Sequence, residues 1–439
     1  MKKSNLLPPT GMRDFLPQEV KRRERALNII REVFESFGFL PMDTPALERT
    51  EILMGKYGSE GEKLIFRILK RGEQAISGES DLALRYDLTV PLARFFARYQ
   101  NELPRPFRRY QIGPVWRADR PGKGRFREFY QCDIDIVNSP SLLADADIVL
   151  ALVKILSRFN LSNFVILLNS RKVLAGIIEA YGVPKSLQEA TLINLDKIDK
   201  IGTEGVICEL KKIDLPPSIM SQFECDLRQV GNDLENKIRE NAIGREGLRE
   251  VEELTSLLTP VLKGCEVKFS PLLVRGLNYY TGPIFEIYLK GRDGAIASGG
   301  RYDNLIEMFT EKRIPACGGS LGIDRLMSMV EISDDQEEQP ISSLQVFVTL
   351  WDGNFRTDVV DIAEELRNSG ISVEISLEEG KIGNQIRLAL KRGARFCLFY
   401  GPDEKSKNEI TIKDLQRGEQ LTVKRNELTQ KLKSLIQKR

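Results

Sequence analysis

The stretch PRPFRRYQIGPVWRADRPGKGRFREFYQCDID, residues 104–135, limits the fold more than any other part of the chain. Its two ends, Phe107–Trp116 and residues 126–136, are rich in aromatic and β-branched side chains and read as strands. Between them, ADRPGKG carries the Pro and Gly of a hairpin loop. Two long strands joined by so short a loop must pair antiparallel, so an antiparallel sheet is expected at the centre of the fold. Residues 104–127 hold eight Lys/Arg and one acid, Asp119, although the whole chain has 65 basic against 63 acidic residues. Arg117, Arg125 and Arg127 therefore sit where the strands enter the loop. A guanidinium is a rigid fork that fits phosphate or carboxylate in a bidentate way, so several on one sheet describe a polyphosphate site. Cross-strand ion pairing on a solvated face is the other reading, and the stretch by itself leaves both open.

A chain of 439 residues allows two or three domains, each with its own core. A net charge of +2 gives no global field, so a polyanionic partner has to be held by local patches. The chain contains no histidine, which excludes His-based triads, His-ligated metals and a His general base. Six cysteines (132, 208, 225, 265, 317 and 397) are scattered without a C-x-x-C, against structural zinc and in favour of reduced thiols in a cytoplasmic protein. Prolines interrupt the N-terminal MKKSNLLPPTGMRDFLP where a signal peptide needs an apolar run, and no window approaches a membrane span.

In chain order, residues 19–37 read as an amphipathic helix stopped by Gly38, followed by the extended FLPMDTPALE, where Pro41 and Pro45 favour an edge strand. LIFRIL and LALRYDLT read as a hairpin. RYDLTVPLARFFARY then changes period from two to 3.6, placing Asp87 and Thr89 at a strand-to-helix turn. Such a carboxylate and hydroxyl fit an ammonium group, and Thr89 before Pro91 fits a helix N-cap equally well. A helix over 144–159 and a strand over 164–168 precede a charged helical region reaching about Lys263, which reads as a module inserted between halves of a sheet domain. The sheet resumes in VRGLNYYTGPIFEIYL, ASGGRYDNL and CGGSLGIDRLMSMV, with Arg325 expected to project from a helix start towards the sheet. EISDDQEEQPISS reads as a linker, and alternating strands and helices beyond it as a compact α/β module.

Several of these stretches, taken together and in order, resemble histidyl-tRNA synthetases, a class II aminoacyl-tRNA synthetase family, over nearly the whole chain. TGMRDFLP is similar to the family's opening, with no extension before it. GFLPMDTPALE resembles the first class II motif at the dimer interface, VWRADRPGKGRFREFYQCDID the second, and GGSLGIDRL the third. VRGLNYYTG and SGGRYD are similar to stretches particular to the histidine enzymes, and RYDLTVPLAR to their eukaryote-type amino-acid loop.

The resemblance implies an α+β catalytic domain on a mainly antiparallel sheet (1–171 and 265–331). It also implies a helical insertion (172–264), a linker (332–343) and a C-terminal α/β anticodon-binding domain (344–439). It implies that histidine is activated with ATP and then transferred to the terminal ribose of tRNA(His), by a cytoplasmic homodimer. Arg117 would hold the α-phosphate, Arg125 and Arg325 the pyrophosphate end, and Arg275 would be the family's own catalytic arginine. Asp87, Thr89 and Gln131 would hold the α-ammonium of histidine, Asp135 and Tyr280 would read the imidazole, and Tyr279 would line its pocket. Mg²⁺ would come with the ATP phosphates. Asn278 departs from the family, which usually has Asp there beside the arginine. A catalytically inactive regulatory subunit of ATP phosphoribosyltransferase shares the sheet but lacks the C-terminal module. A tRNA-binding protein on an inactive synthetase scaffold finds support only in Asn278.

Overall fold

The computed structural model describes residues 6–55, 57, 61–72, 76, 78–122, 124–195, 197–229, 232–274, 279–292, 294–330 and 344–437. Arg275, Asn278 and the expected linker lie outside the described residues. The chain divides into two compact units, one ending at Val330 and one beginning at Glu331.

In the first unit the strands are β1 (Leu40–Pro41), β2 (Leu47–Arg49), β3 (Arg67–Ile68), β4 (Leu82–Leu84), β5 (Phe107–Trp116), β6 (Glu128–Val137), β7 (Phe164–Ser170), β8 (Glu266–Phe269), β9 (Pro283–Leu289), β10 (Ala297–Arg301) and β11 (Ala316–Gly322). Eight form one sheet in the order β1-β5-β6-β11-β10-β9-β7-β8. Its interior ladders are antiparallel, and only the outermost pairs, β1 with β5 and β7 with β8, run parallel. β2, β4 and β3 make a small second sheet.

Strand β6 governs what lies on each face. Side chains alternate along a strand, and QCDIDI places Cys132, Ile134 and Ile136 on one side and Gln131, Asp133 and Asp135 on the other. The apolar three enter a core with Ile148, Leu152 and Ile155 of the helix Leu142–Arg158 and Leu27, Ile30 and Phe34 of the helix Pro17–Ser36. The polar three are nevertheless buried, so this sheet carries a polar interior on its second face. Register sets their neighbours: Asp135 lies between Arg109 and Gly318, Asp133 between Gln111 and Ser320, Gln131 between Gly113 and Gly322. A side chain at Gly318 would bring Cβ within 1.9 Å of an Asp135 carboxylate oxygen, and one at Gly319 within 2.8 Å of Leu152. This glycine pair serves side-chain packing within a strand.

Residues 171–258 form helices Arg171–Ala180, Lys185–Leu195, Ile198–Leu210, Pro217–Gln229, Asn232–Glu240 and Ala242–Leu258. The first and last cross closely: a Cβ on Gly176 would lie 2.6 Å from Gly244 Cα, and one on Gly247 would lie 2.6 Å from the Val173 nitrogen. Val251, Leu254 and Leu258 of the last helix belong to the same core as Ile148 and Leu152. Strand β8, with Glu266 and Lys268 in it, escaped the sequence reading.

The second unit is a five-stranded sheet ordered β13-β12-β14-β15-β16, with β12 (Val346–Val348), β13 (Val373–Ile375), β14 (Phe396–Phe399), β15 (Glu409–Asp414) and β16 (Gln420–Lys424). β12 runs parallel to β13 and β14, and the remaining ladders are antiparallel. Val346, Val348, Phe396, Leu398, Ile410 and Ile412 pack against Val359, Ile362 and Leu366 of the helix Arg356–Asn368.

Candidate active site

The polar face of β6 meets the turn that follows β4. Arg85, buried, donates to the carbonyls of Thr44 (2.6 Å) and Pro114 (2.9 Å), tying the small sheet to β5. Two residues on, Asp87 is 2% exposed. Its Oδ1 accepts from Tyr57 Oη (3.0 Å) and from the backbone N–H groups of Thr89 (3.1 Å) and Val90 (3.0 Å) at the start of the helix Thr89–Tyr99. Asp87, not Thr89, therefore caps that helix, while Asp87 Oδ2 is buried without a hydrogen-bond partner. Burial raises the Asp87 pKa, and the Val90 N–H and Arg117 pull it back.

Asp133, 3% exposed, is the residue sequence reasoning missed. Burial and the neighbouring Asp135 and Asp87 charges push its carboxyl up to about 7, against the opposing pull of Arg109 and Ser320. Its Oδ1 is buried and unpartnered, as is Gln131 Oε1, whose amide nitrogen donates to Ser320 Oγ at 2.9 Å. Asp135 accepts from the Tyr302 hydroxyl and lies 2.6 Å from Arg109, which is fully buried. That ion pair is close but poorly aligned, because Asp135 Oδ2 gains no directed hydrogen bond from it. Burial raises the Asp135 pKa, opposed by Arg109 and Tyr302. Three carboxylates thus act on one another with one fully buried guanidinium among them. Unpaired buried charge is costly, so this floor favours a cationic guest or retained protons.

Aromatic rings wall the floor. Tyr57 and Tyr86 stand 4.6 Å apart, Tyr279 and Tyr280 5.0 Å, Tyr279 and Tyr302 5.8 Å. Tyr279 is hydrogen-bonded to Thr89, and burial together with the Tyr280 and Asp87 fields raises its pKa. A cleft of about 400 Å³ opens beside Tyr280 and Thr281, with Arg171 and Arg313 on its wall.

Arg117 stands at the edge of this pocket. Its Nε donates to the Tyr86 carbonyl (3.1 Å), its guanidinium lies 4.4 Å from the Tyr86 ring centre, and its field reaches Asp87 and Tyr57. Arg125 is held by Asp119 at 2.8 Å with most of its side chain in solvent. Arg325 departs from expectation: it is exposed and donates to the Ala295 carbonyl at 2.8 Å, over Gly294, where a Cβ would come within 2.2 Å of it. Arg301, by contrast, is buried, paired with Asp145 and bonded to the carbonyls of Ser139 and Ser141. The structure thus brings Asp87, Thr89, Gln131, Asp135, Tyr279 and Arg117 around one pocket with Tyr280 in its wall, and leaves Arg125 and Arg325 on its solvent side. Tyr57, Arg109 and Tyr302 join Asp133 as pocket residues the sequence did not single out. Alternation along β6 could have found Asp133. Among the described residues no cluster of three or more His, Cys, Asp or Glu side chains is placed to hold a metal ion.

A family model described as Histidyl-tRNA synthetase matches residues 11–326, and one described as Anticodon binding domain matches residues 345–435. The chain belongs to the histidyl-tRNA synthetase family. A histidine–tRNA ligase of Cytophaga hutchinsonii is 37% identical over 448 residues, covering 97% of this chain and 98% of that protein. One from Phocaeicola vulgatus is 35% identical over 443 residues, covering 96% and 97%. The crystal structure of a histidyl-tRNA synthetase from Nostoc superposes with a TM-score of 0.73 at 32% identity, covering 98% of this chain and 100% of that one. A Bacillus halodurans structure described as an ATP phosphoribosyltransferase regulatory subunit/histidyl-tRNA synthetase shares the fold, with a TM-score of 0.66 at 23% identity over 84% of this chain. No helix among the described residues is long and apolar enough to cross a membrane.

Proposed function

We propose that the chain is an active histidine–tRNA ligase, which joins histidine to ATP as an adenylate with release of pyrophosphate and then passes histidine to the 3′-terminal ribose of tRNA(His). The observation that carries this reading is the set of unpartnered buried acceptors, Asp87 Oδ2, Gln131 Oε1 and Asp133 Oδ1, on an acidic floor beside Arg117. An ammonium group brings three N–H donors and one positive charge, which is what that floor lacks. With the α-ammonium held by Asp87, Gln131 and Asp133 and with Thr89 at the helix start, the substrate carboxylate is directed to the Arg117 side.

The first step needs no general base, because the attacking carboxylate is already ionised at neutral pH. Its barrier lies in the charge gathering on the α-phosphorus and the departing pyrophosphate, and fixed cations lower it. Arg117 takes the α-phosphate in this reading, Arg275 acts as the family's catalytic arginine, and Arg125 and Arg325 take the pyrophosphate end. Mg²⁺ would arrive with the nucleotide and would neutralise part of its phosphate charge. Asp135 and Tyr280 read the neutral imidazole, with Tyr279 in the pocket wall. A side chain without matching donors would strand these buried groups, which permits discrimination of roughly 10⁴–10⁵ without editing.

tRNA is met at the loop after β5, at the inserted helices 172–264 and at the C-terminal domain, and phosphate contacts make its affinity fall with salt. Arg171 and Arg313 on the cleft beside Tyr280 fit that role. Strand β1 at the sheet edge, with Leu40 exposed, supports a homodimer, and six free cysteines support a cytoplasmic enzyme. The regulatory-subunit reading lacks a role for the C-terminal anticodon-binding domain. ATP–pyrophosphate exchange with each amino acid in turn tests the assignment: exchange driven by histidine alone is expected, and none with any amino acid would sink it.

A further inference from the structure

Residues 6–16 precede the first helix without regular structure, yet two of them grip the nucleotide side of the site. The Gly11 carbonyl accepts from the Arg127 backbone N–H at 2.8 Å. Gly11 has φ +86°, and a side chain there would come within 2.9 Å of Arg127 Cγ and Pro121 Cγ, so the strap lies flush on the loop. The Arg13 guanidinium stacks 3.4 Å from the centre of the Phe126 ring and is ion-paired with Asp324. Asp324 also accepts from the Tyr130 backbone N–H at 3.4 Å, fastening the helix Ile323–Met329 to β6. Arg23 packs against Phe15 and Tyr130 at 4.5 and 4.7 Å and backs the strap from the first helix.

The two residues that Arg13 touches are chain neighbours of two arginines. Phe126 follows Arg125, and Asp324 precedes Arg325. Arg127, held by Gly11, accepts from the Arg117 backbone N–H (2.9 Å) and spans the loop to the Asp119 carbonyl (2.9 Å), while Asp119 holds Arg125. One side chain from the N-terminal strap therefore fixes the spacing between the loop that carries Arg125 and the helix that carries Arg325. We propose that Arg13 is a positioning residue for ATP: it sets Arg125 and Arg325 at the separation that lets both engage one pyrophosphate, without touching the nucleotide itself. This rests on the reading of those two arginines as phosphate contacts. The planar stack and the fork to Asp324 are both needed, so lysine is only a partial substitute.

The test is ATP–pyrophosphate exchange by the full chain for Arg13→Met, Arg13→Lys and Asp324→Asn, with Arg125→Ala and Arg325→Ala alongside. Arg13→Met should raise KM for ATP about tenfold and leave KM for histidine within about twofold, since small displacements of positioning groups cost that much or more. The thermal midpoint should hold, Arg13→Lys should fall between parent and Arg13→Met, and Asp324→Asn should reproduce Arg13→Met. Combining Arg13→Met with Asp324→Asn should be no worse than either alone, because both act through one contact. An unchanged KM for ATP in Arg13→Met overturns the inference, as does a parallel rise for both substrates with a falling midpoint. If Arg125→Ala and Arg325→Ala leave KM for ATP unchanged, the phosphate reading fails and the inference with it. If they raise it while Arg13→Met does not, the inference alone fails.

Discussion

The buried polar pocket and the exposed arginine arm of the proposed site are built on opposite plans. In the pocket, charged groups are buried deep inside the sheet: Arg109 is fully buried, and Asp87, Asp133 and Asp135 are at most 3% exposed. In the arm, Arg125 and Arg325 face water, held by a surface carboxylate and a main-chain carbonyl. Burial makes each pocket charge depend on its neighbours, since desolvation and Coulomb terms are both large there. Exposure screens the arm's cations, so each depends less on its neighbours' charge than the buried groups do. Under the proposed function, the pocket is where selectivity is set by fixed geometry, and the arm is where charge is supplied as it develops.

That contrast can be broken first at Arg109. Arg109→Met leaves Asp133 and Asp135 without their buried counter-charge and should destabilise the first unit by roughly 3–5 kcal/mol, read by chemical denaturation; a loss below about 1 kcal/mol would mean the pocket is wetter than its burial implies. Arg117→Ala tests the border between the two plans. Losing one fixed cation at the reacting centre should lower kcat for exchange about 10²–10³-fold while barely moving stability. Equal losses in both would make Arg117 structural.

Asp133→Asn sharpens the pocket side. It should weaken histidine binding about 10–100-fold, the cost of a charged hydrogen bond, with ATP affinity nearly untouched. The pH dependence has a definite sign. With a folded-state pKa raised to about 7, Asp133 contributes stability that is complete below the unfolded value near 4 and is lost as pH rises through 7. Stability of the unliganded parent should therefore fall between about pH 5 and 7.5 more than that of Asp133→Asn. The parent's histidine affinity should also drop faster than the variant's below pH 7, because an ammonium needs the ionised carboxylate. Superimposable profiles would remove Asp133 from the site. The smallest effect is expected in the arm: Asp119→Asn frees Arg125 from an exposed pair and should cost under about 1 kcal/mol of stability.

What the sequence disclosed follows the same division. Strands β5 and β6 were legible because they are long, aromatic and interrupted by a Pro/Gly loop. Strands β8 and β16 were not, being short and carrying Glu266 and Lys268, or Gln420 and Lys424, at alternating positions. Arg109 stood among eight basic residues with nothing to single it out, whereas register turns it inward against Asp135. Tyr57 and Tyr302 reach the pocket from distant parts of the chain, and no local pattern reports such meetings. Arg325 was expected to point into the sheet, but the helix start at Ile323 carries it outward over Gly294. Asp133 was visible in the two-residue period of QCDIDI, masked by the identical residue two places on.

The crossing of the helices Arg171–Ala180 and Ala242–Leu258 decides what the segment between them costs the fold. Asn241 donates to Glu179 at 2.8 Å, so the intervening sixty-odd residues leave and rejoin the core through one doorway. Closing such a gap with a shorter or longer appendage changes loop entropy by only about 0.6 kcal/mol per doubling of length. The length of that appendage is thus set by what its helices bury, Leu195, Val206, Ile207 and Leu210 among them, and hardly by the cost of closing the chain.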